Sequence, residues 1–169
     1  MTWTLLPHTA DVKAALDAPD LPGLYAAAVD LVRVLLVGDS PVEARSAVVV
    51  VVDGGPGCGG EGVGEAGSEG VGEVGNEGAG RAGGEGVGRS EGFGEDERFF
   101  RFVRELVYLS DADGFVPAVL TCVAPLSVSG ETFDDRRHVV EHGIKAVTRH
   151  QYRFDVGPHG YHAEVVFDL

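Results

Sequence analysis

Residues 97–120 read ERFFRFVRELVYLSDADGFVPAVL and join a helical pattern directly to a strand pattern. Between Glu97 and Ser110, apolar residues recur at helical spacing and share one face, namely Phe99, Phe102, Val103 and Leu106. Asp111–Gly114 is typical of a turn, and strand-forming residues follow from Phe115. The stretch therefore predicts an amphipathic helix, a turn and a strand, a succession typical of α+β proteins.

The N-terminal part of the chain predicts another helix, which follows two short strands. The strands are predicted at Trp3–Leu6 and Val12–Leu16. Asp20 is a suitable N-cap, and apolar residues recur at helical spacing from Leu24 to Leu35 until Gly38 ends the pattern. The apolar face of this helix is expected to cover a sheet.

The remaining strand patterns complete the predicted fold. Glu43–Val52 ends in five consecutive valines, and such a β-branched run predicts a central strand buried on both faces. Further strands are predicted at Phe115–Val128, Arg137–Glu141, Ile144–Val156 and Tyr161–Asp168, the last two joined by a turn at Gly157–Gly160. We predict an α+β two-layer sandwich in which two helices pack on a largely antiparallel sheet.

A Gly- and Glu-rich tract separates the two halves of this pattern. The units EGVGEAGS, EGVGEVGN and EGAGRAGG follow one another from Glu61, Glu69 and Glu77. Their small, isolated side chains bury too little apolar surface to offset the entropy of ordering so many glycines. We predict a single domain spanning residues 1–169, interrupted by a disordered insertion at about residues 54–95. The alternative, a calcium-binding glycine-rich solenoid, requires Asp where this tract has Glu.

The charge of the chain restricts its partners. The 169 residues carry a formal net charge of −14, of which the eight Glu and two Arg of the tract supply six. Proteins that hold nucleic acid by themselves use clustered Lys and Arg, so any contact with nucleic acid is expected to be indirect, through a partner protein. No apolar run approaches the roughly 20 residues that cross a bilayer, and the first residues do not resemble a signal peptide. We expect a cytoplasmic protein that does not bind membranes.

Few residues are candidates for a functional site. Asp11 lies at the start of a predicted strand, and the last strand ends at Asp168 beside the α-carboxylate of Leu169. Carboxylate oxygens are hard ligands that suit Mg²⁺ or Ca²⁺, if the fold brings the two strand ends together. The alternative is that these are exposed acids at strand ends.

The segment Ile144–His150 has cationic residues within a strand pattern. Lys145 could contact a phosphate or nucleotide at a partner interface, and His150 could act in acid–base chemistry. The alternative is a solvated edge face. The other histidines of the C-terminal half are expected to be exposed, since they show no metal-binding spacing: His138, His142, His159 and His162. No nucleophile elbow, phosphate-binding loop or dinucleotide fingerprint is present.

Several segments together resemble the archease family. These are His8–Val12, Glu105–Leu109 with Asp113–Phe115, Lys145–His150 and Val166–Leu169, and they occur in the order found in archeases. The resemblance covers nearly the whole chain except Gly54–Glu95. It implies an accessory protein, not an enzyme, that activates an RtcB-type RNA ligase in tRNA splicing and RNA repair by promoting guanylylation and multiple turnover of the ligase.

The resemblance also implies roles for individual residues. Asp11, Asp168 and Leu169 would bind a divalent metal, Ca²⁺ or Mg²⁺, and Lys145 would be a functional contact. His8 would orient the carboxylate of Asp11. Two other readings remain open: a stand-alone metal-dependent phosphohydrolase that uses Asp11 and His150, and a passive chaperone or scaffold. The sequence does not indicate an oligomeric state.

Overall fold

A computed structural model describes residues 2–7, 11–52 and 93–169 of the chain. The predicted insertion at about residues 54–95 lies outside these ranges, apart from its last three residues. His8 lies outside them as well.

The described residues form two helices and seven strands. In chain order these are β1 (Thr2–Leu6), β2 (Val12–Ala18), α1 (Leu21–Val37), β3 (Ser46–Val49), α2 (Glu95–Asp113), β4 (Phe115–Val123), β5 (Leu126–Thr132), β6 (Ala146–Gly157) and β7 (Gly160–Asp168). The strands make a four-stranded sheet of order β1-β2-β7-β6 and a three-stranded sheet of order β3-β5-β4, and all their pairings are antiparallel. The predicted α+β sandwich is confirmed, with its strands divided between two sheets.

Both sheets and both helices contribute to one hydrophobic core. Leu16 of β2 and Val128 of β5 are fully buried members of the same cluster. Tyr25 of α1 packs edge-on against Phe102 of α2, with ring centroids 4.8 Å apart. Phe154 of β6 lies 5.8 Å from the ring of Phe99, which is fully buried. Aromatic packing of this kind fixes α2 relative to α1 and to the four-stranded sheet.

The caps predicted for the first helix are present. The Asp20 carboxylate accepts a hydrogen bond from Gly23 N at 2.7 Å and so satisfies a free backbone donor of the first turn. At the other end Gly38 adopts φ +55°, and its N–H donates to Val34 O at 2.8 Å. Helix α1 therefore has the bounds that its capping residues predict.

Helix α2 is longer than the sequence pattern predicts. The prediction of a turn at Asp111–Gly114 is wrong for its first three residues, because the helix continues to Asp113. It ends at Gly114, which adopts the left-handed conformation at φ 64° and donates its N–H to Leu109 O. The helix thus stops at the first residue that reaches this conformation without a Cβ penalty.

The five-valine segment does not form a central strand, so that prediction is wrong. Strand β3 covers only Ser46–Val49 and lies at an edge of the three-stranded sheet. Val50 is buried and its N–H donates to Leu126 O at 2.9 Å, whereas Val51 is 67% exposed. β-Branched residues favour extended backbone wherever they lie in a sheet, so their run does not distinguish a central strand from an edge strand.

The strand predicted at Arg137–Glu141 is also absent from the structure. These residues form a turn and an extended loop without strand pairing. The loop is held to the end of α1 by two hydrogen bonds: Val139 N donates to Ser40 Oγ at 3.0 Å, and Glu141 N donates to Leu36 O at 2.9 Å. Contacts with a distant part of the chain therefore decide its conformation.

Candidate functional site

The end of the four-stranded sheet brings Asp11 and Asp168 together. In the β2–β7 pairing, Val12 lies opposite Phe167, so the next pair towards the sheet end is Asp11 and Asp168. Phe167 is fully buried and Asp168 is exposed, as expected for neighbours on opposite faces of a strand. Asp11 precedes Val12 in the same alternation, so both acids belong to the outer face of the sheet. The fold therefore brings the two strand ends together, as the predicted site requires.

Lys145 lies at the same end of the sheet. Its backbone N–H donates to Asp168 O at 2.9 Å, one residue before the first β6–β7 pair, Ala146 opposite Asp168. Its ammonium group donates to the main-chain oxygen of Leu169 at 2.7 Å. Leu169 packs partly against the core through its side chain. Four of the predicted residues are thus neighbours: Asp11, Lys145, Asp168 and Leu169.

The donor atoms at this sheet end fit a hard divalent cation. Two carboxylates and a main-chain oxygen are the ligand types that Mg²⁺ and Ca²⁺ prefer. Within residues 2–7, 11–52 and 93–169, no group of three or more His, Cys, Asp or Glu residues is placed to hold a metal ion. The predicted ligands include only two such residues, Asp11 and Asp168, because the third donor is the main-chain oxygen of Leu169.

A cavity of about 410 Å³ opens beside Lys145. Its walls come from the last turns of α2 and from the start of β6, and its polar lining residues are Arg104, Glu105, Tyr108, Asp111 and Lys145. Neither Asp11 nor His150 is among the residues that line it. The cavity therefore extends the sheet end towards α2, on the side away from the paired acids.

His150 lies in an irregular part of β6. Thr148 pairs with Val166 and Arg153 pairs with Glu164, so four residues of β6 lie opposite the single residue between those partners. Within this bulge Gln151 has φ 57°, and the exposed His150 donates its backbone N–H to Thr148 Oγ1 at 3.1 Å. The strand predicted at Ile144–Val156 is consequently irregular after Thr148.

Side chains on either side of His150 fasten the bulge to α2. Arg149 forms an ion pair with Glu97, and its guanidinium lies 4.1 Å from the ring centroid of Phe100. The Tyr152 hydroxyl donates to Asp96 O at 2.8 Å. Burial is the main cause that raises the pKa of Tyr152, so its hydroxyl stays protonated and remains a donor.

Sequence reasoning missed a charged cluster around Glu131. The side chain of Glu131 is 4% exposed and accepts hydrogen bonds from Glu43 N at 2.7 Å and from Arg137 Nη1 at 2.5 Å. Arg45 Nε lies 3.2 Å from the same carboxylate. Burial alone would raise the pKa of Glu131, but these donors outweigh it and hold the pKa at about 2.

The expectation that His138 is exposed is wrong, because it belongs to the Glu131 cluster and is only 3% exposed. Its Nδ1 accepts a hydrogen bond from Asp134 N at 3.0 Å, and its Nε2 lies 3.3 Å from Glu131 Oε1. Since Nδ1 is an acceptor, Nε2 is the nitrogen that donates to the carboxylate. The cluster fastens the loop after β5 to the segment before β3. The only sequence signal for it was the run of charged residues Asp134–His138.

A protein-family model matches the C-terminal part of the chain. Residues 87–169 match the model of the archease protein family (MTH1598/TM1083). This match contains α2, β6 and β7, and with them Lys145, Asp168 and Leu169. The match supports an archease-family assignment for this chain. Archeases are cofactor-like accessory proteins, and the assignment supports, at the family level, a role in RNA processing that involves a protein partner.

A search of curated proteins gave no match to this archease. Neither of its two described helices combines the length and the apolar character that a membrane span requires.

Proposed function

We propose that this archease activates an RtcB-type RNA ligase in tRNA splicing and RNA repair, by promoting guanylylation of the ligase and allowing it to turn over repeatedly. The observation that supports the proposal is the register of β2 and β7, which aligns Asp11 with Asp168 beside Leu169 and Lys145. In this proposal the chain contacts RNA only through the ligase, in agreement with its net charge of −14. The proposed location is the cytoplasm.

In this proposal, Asp11, Asp168 and the main-chain oxygen of Leu169 hold a divalent cation, Mg²⁺ or Ca²⁺. A cation bound there would supply positive charge to phosphate oxygens during nucleotidyl transfer in the ligase. Lys145 has two tasks: it fixes the main-chain oxygen of Leu169, and it presents an ammonium group beside the site. His8 and His150 are kept as candidate contacts to Asp11 and to the ligase. The bond-forming chemistry remains that of the ligase.

The test is an RNA-ligation time course with substrate in excess over the ligase and this archease at substoichiometric amounts. The wild-type chain is expected to convert about one turnover into many. Asp11→Asn and Asp168→Asn should abolish the stimulation, while Asp155→Asn, an exposed acid of β6, should leave it intact. Equal stimulation by all three variants would overturn the metal-dependent mechanism.

A second experiment measures cation binding directly. Calorimetric titration with Mg²⁺ and with Ca²⁺ should show one site on the wild-type chain and on Asp155→Asn, and lost or strongly weakened binding to Asp11→Asn and Asp168→Asn. Nucleotide hydrolysis by the purified chain without any ligase would instead favour the phosphohydrolase reading. Stimulation that persists with both acids replaced would favour a passive scaffold.

A further inference from the structure

Three large side chains are exposed in α2 and in the loop before β6. Tyr108 of α2 is 60% exposed, and Val139 and Val140 of the loop before β6 are 69% and 60% exposed. The loop is held by the hydrogen bonds of Val139 N to Ser40 Oγ and of Glu141 N to Leu36 O. The two valines are therefore presented on a fixed backbone, which lowers the entropy cost of binding a partner.

An apolar cavity of about 270 Å³ lies beside Val140. Its apolar walls are formed by side chains of α1, of β4 and of the loops on either side of Val140, namely Leu36, Phe115, Val116, Phe133, Val140 and Ile144. Asp111 lines this cavity and also the cavity of about 410 Å³ beside Lys145. The two cavities therefore share Asp111, which lies between Val140 on one side and Tyr108 and Lys145 on the other. We name the surface formed by Tyr108, Asp111 and Val140 the Tyr108 face.

The charges at this surface restrict what can cover it. Acidic groups outnumber basic ones there, since Glu105, Asp111, Asp113 and Glu141 lie on or beside it, against Arg104 and Lys145. In a two-fold dimer through the Tyr108 face, these acids would oppose their own copies, which is unfavourable. A partner segment with Lys or Arg beside an apolar side chain would complement both features.

We propose that the Tyr108 face is the docking surface for the ligase, which inserts an apolar side chain, flanked by basic residues, into the cavity beside Val140. This inference rests on the proposed function and adds the contact face to it. The position of the face follows from the same geometry: a ligase docked on it lies next to Lys145 and hence next to the end of β7. The surface for binding and the residues for stimulation are thus adjacent but separate.

The experiment measures affinity and stimulation in parallel. The affinity of the ligase for the full chain is measured by biolayer interferometry for wild type, Val140→Asp, Tyr108→Ala and Val156→Asp. Val156 is the matched control, because it is 61% exposed and lies at the far end of β6. We expect Val140→Asp and Tyr108→Ala each to weaken binding at least tenfold, Val156→Asp to bind as wild type, and binding to weaken as salt concentration rises.

The stimulation assay separates docking from the chemistry of the site. Val140→Asp should need a higher concentration for half-maximal stimulation and reach the wild-type maximum, whereas Asp168→Asn should bind the ligase and not stimulate it. If Val140→Asp and Tyr108→Ala both bind the ligase as tightly as wild type, while the wild-type chain stimulates it normally, the docking surface is wrong. The proposed function is then unaffected. A wild-type chain that neither binds nor stimulates an active ligase overturns both. Sedimentation that shows self-association abolished by Val140→Asp would make a second copy the occupant and would also overturn the inference.

Discussion

Glu131 shows how a single buried charge can hold two distant segments together. Its carboxylate accepts hydrogen bonds from the backbone N–H of Glu43, in the segment before β3, and from the guanidinium of Arg137, in the loop after β5. A carboxylate with this many donors is far more stable ionised than protonated, so its pKa falls to about 2 from an ordinary value of 4.5. The ionised form therefore stabilises the fold.

The substitution Glu131→Gln should lower the free energy of unfolding at pH 7 by about 1–3 kcal/mol, because Arg137 and Arg45 lose their buried partner. The pKa of Glu131 is lowered in the folded state, so its contribution is complete above pH 4.5 and is lost as the pH falls towards 2. The difference between wild type and variant should thus shrink between pH 4.5 and pH 2. Urea unfolding at several pH values measures it.

The control for this experiment is Asp135→Asn, an exposed acid in the same loop. A surface substitution of this kind is expected to change the free energy of unfolding by less than about 0.5 kcal/mol. The assigned role of Glu131 would be contradicted if the difference in free energy of unfolding between wild type and Glu131→Gln stayed constant down to pH 2.

Individual residues of the candidate site could be predicted from their type, but their meeting could not. Asp11 and Asp168 were candidates because both acids lie at strand ends, and the register of β2 and β7 then makes them neighbours. The Glu131 cluster was missed for a physical reason. Its residues are polar, and polar residues are usually exposed, so nothing in the sequence distinguishes a carboxylate that is buried with its own partners.

At the scale of elements, the β6–β7 hairpin depends on one glycine. Gly157 pairs with Gly160 across the predicted turn, and Gly160 has φ +120°. A Cβ atom at position 160 would overlap the carbonyl oxygen of Ala18, which lies at the end of the neighbouring strand β2. The residue must therefore be glycine for its conformation and for the close approach of β2.

Gly160→Ala should lower the free energy of unfolding by about 2–4 kcal/mol, because it combines an unfavourable backbone conformation with a collision against main-chain atoms. Gly157→Ala is the matched control in the same turn, since a Cβ there meets nothing within 4 Å. Thermal and urea unfolding of the two variants provide the comparison. Equal stability of the two variants would show that β2 can move away from the turn without cost.

Elements with local signals were predicted well, and elements set by distant contacts were not. Both helices, the Gly38 cap of α1 and the β6–β7 turn follow from residues within a few positions of each other. The place of β3 at a sheet edge and the bulge of β6 do not, because sheet order and register depend on strands far away in the chain. The bulge is fixed by Arg149 and Tyr152, which contact α2.

At the scale of the whole molecule, the Gly- and Glu-rich tract should be dispensable for stability. We predict that replacing residues 54–92 by ten Gly and Ser residues raises the free energy of unfolding by about 1 kcal/mol or less, since loop-closure entropy depends weakly on length. Ligase stimulation should be unchanged. Urea unfolding and the ligation time course test both points.

The control for the deletion is a variant in which residues 54–92 are shuffled, which keeps their length, composition and charge. It should behave as wild type in both assays. A loss of more than about 2 kcal/mol in the deletion variant alone would exceed any loop-length effect and would show that the tract makes stabilising contacts.

The pairing of β2 with β7 has a consequence for protein synthesis. Asp11 leaves the ribosome early, but the strand that carries Asp168 is the last one of the sheet to be made. A nascent chain, or a fragment truncated before β7, lacks half of the acid pair and also the strand that joins β2 to β6. Prematurely terminated products would therefore carry no paired acids, and in the proposed function they would not stimulate the ligase.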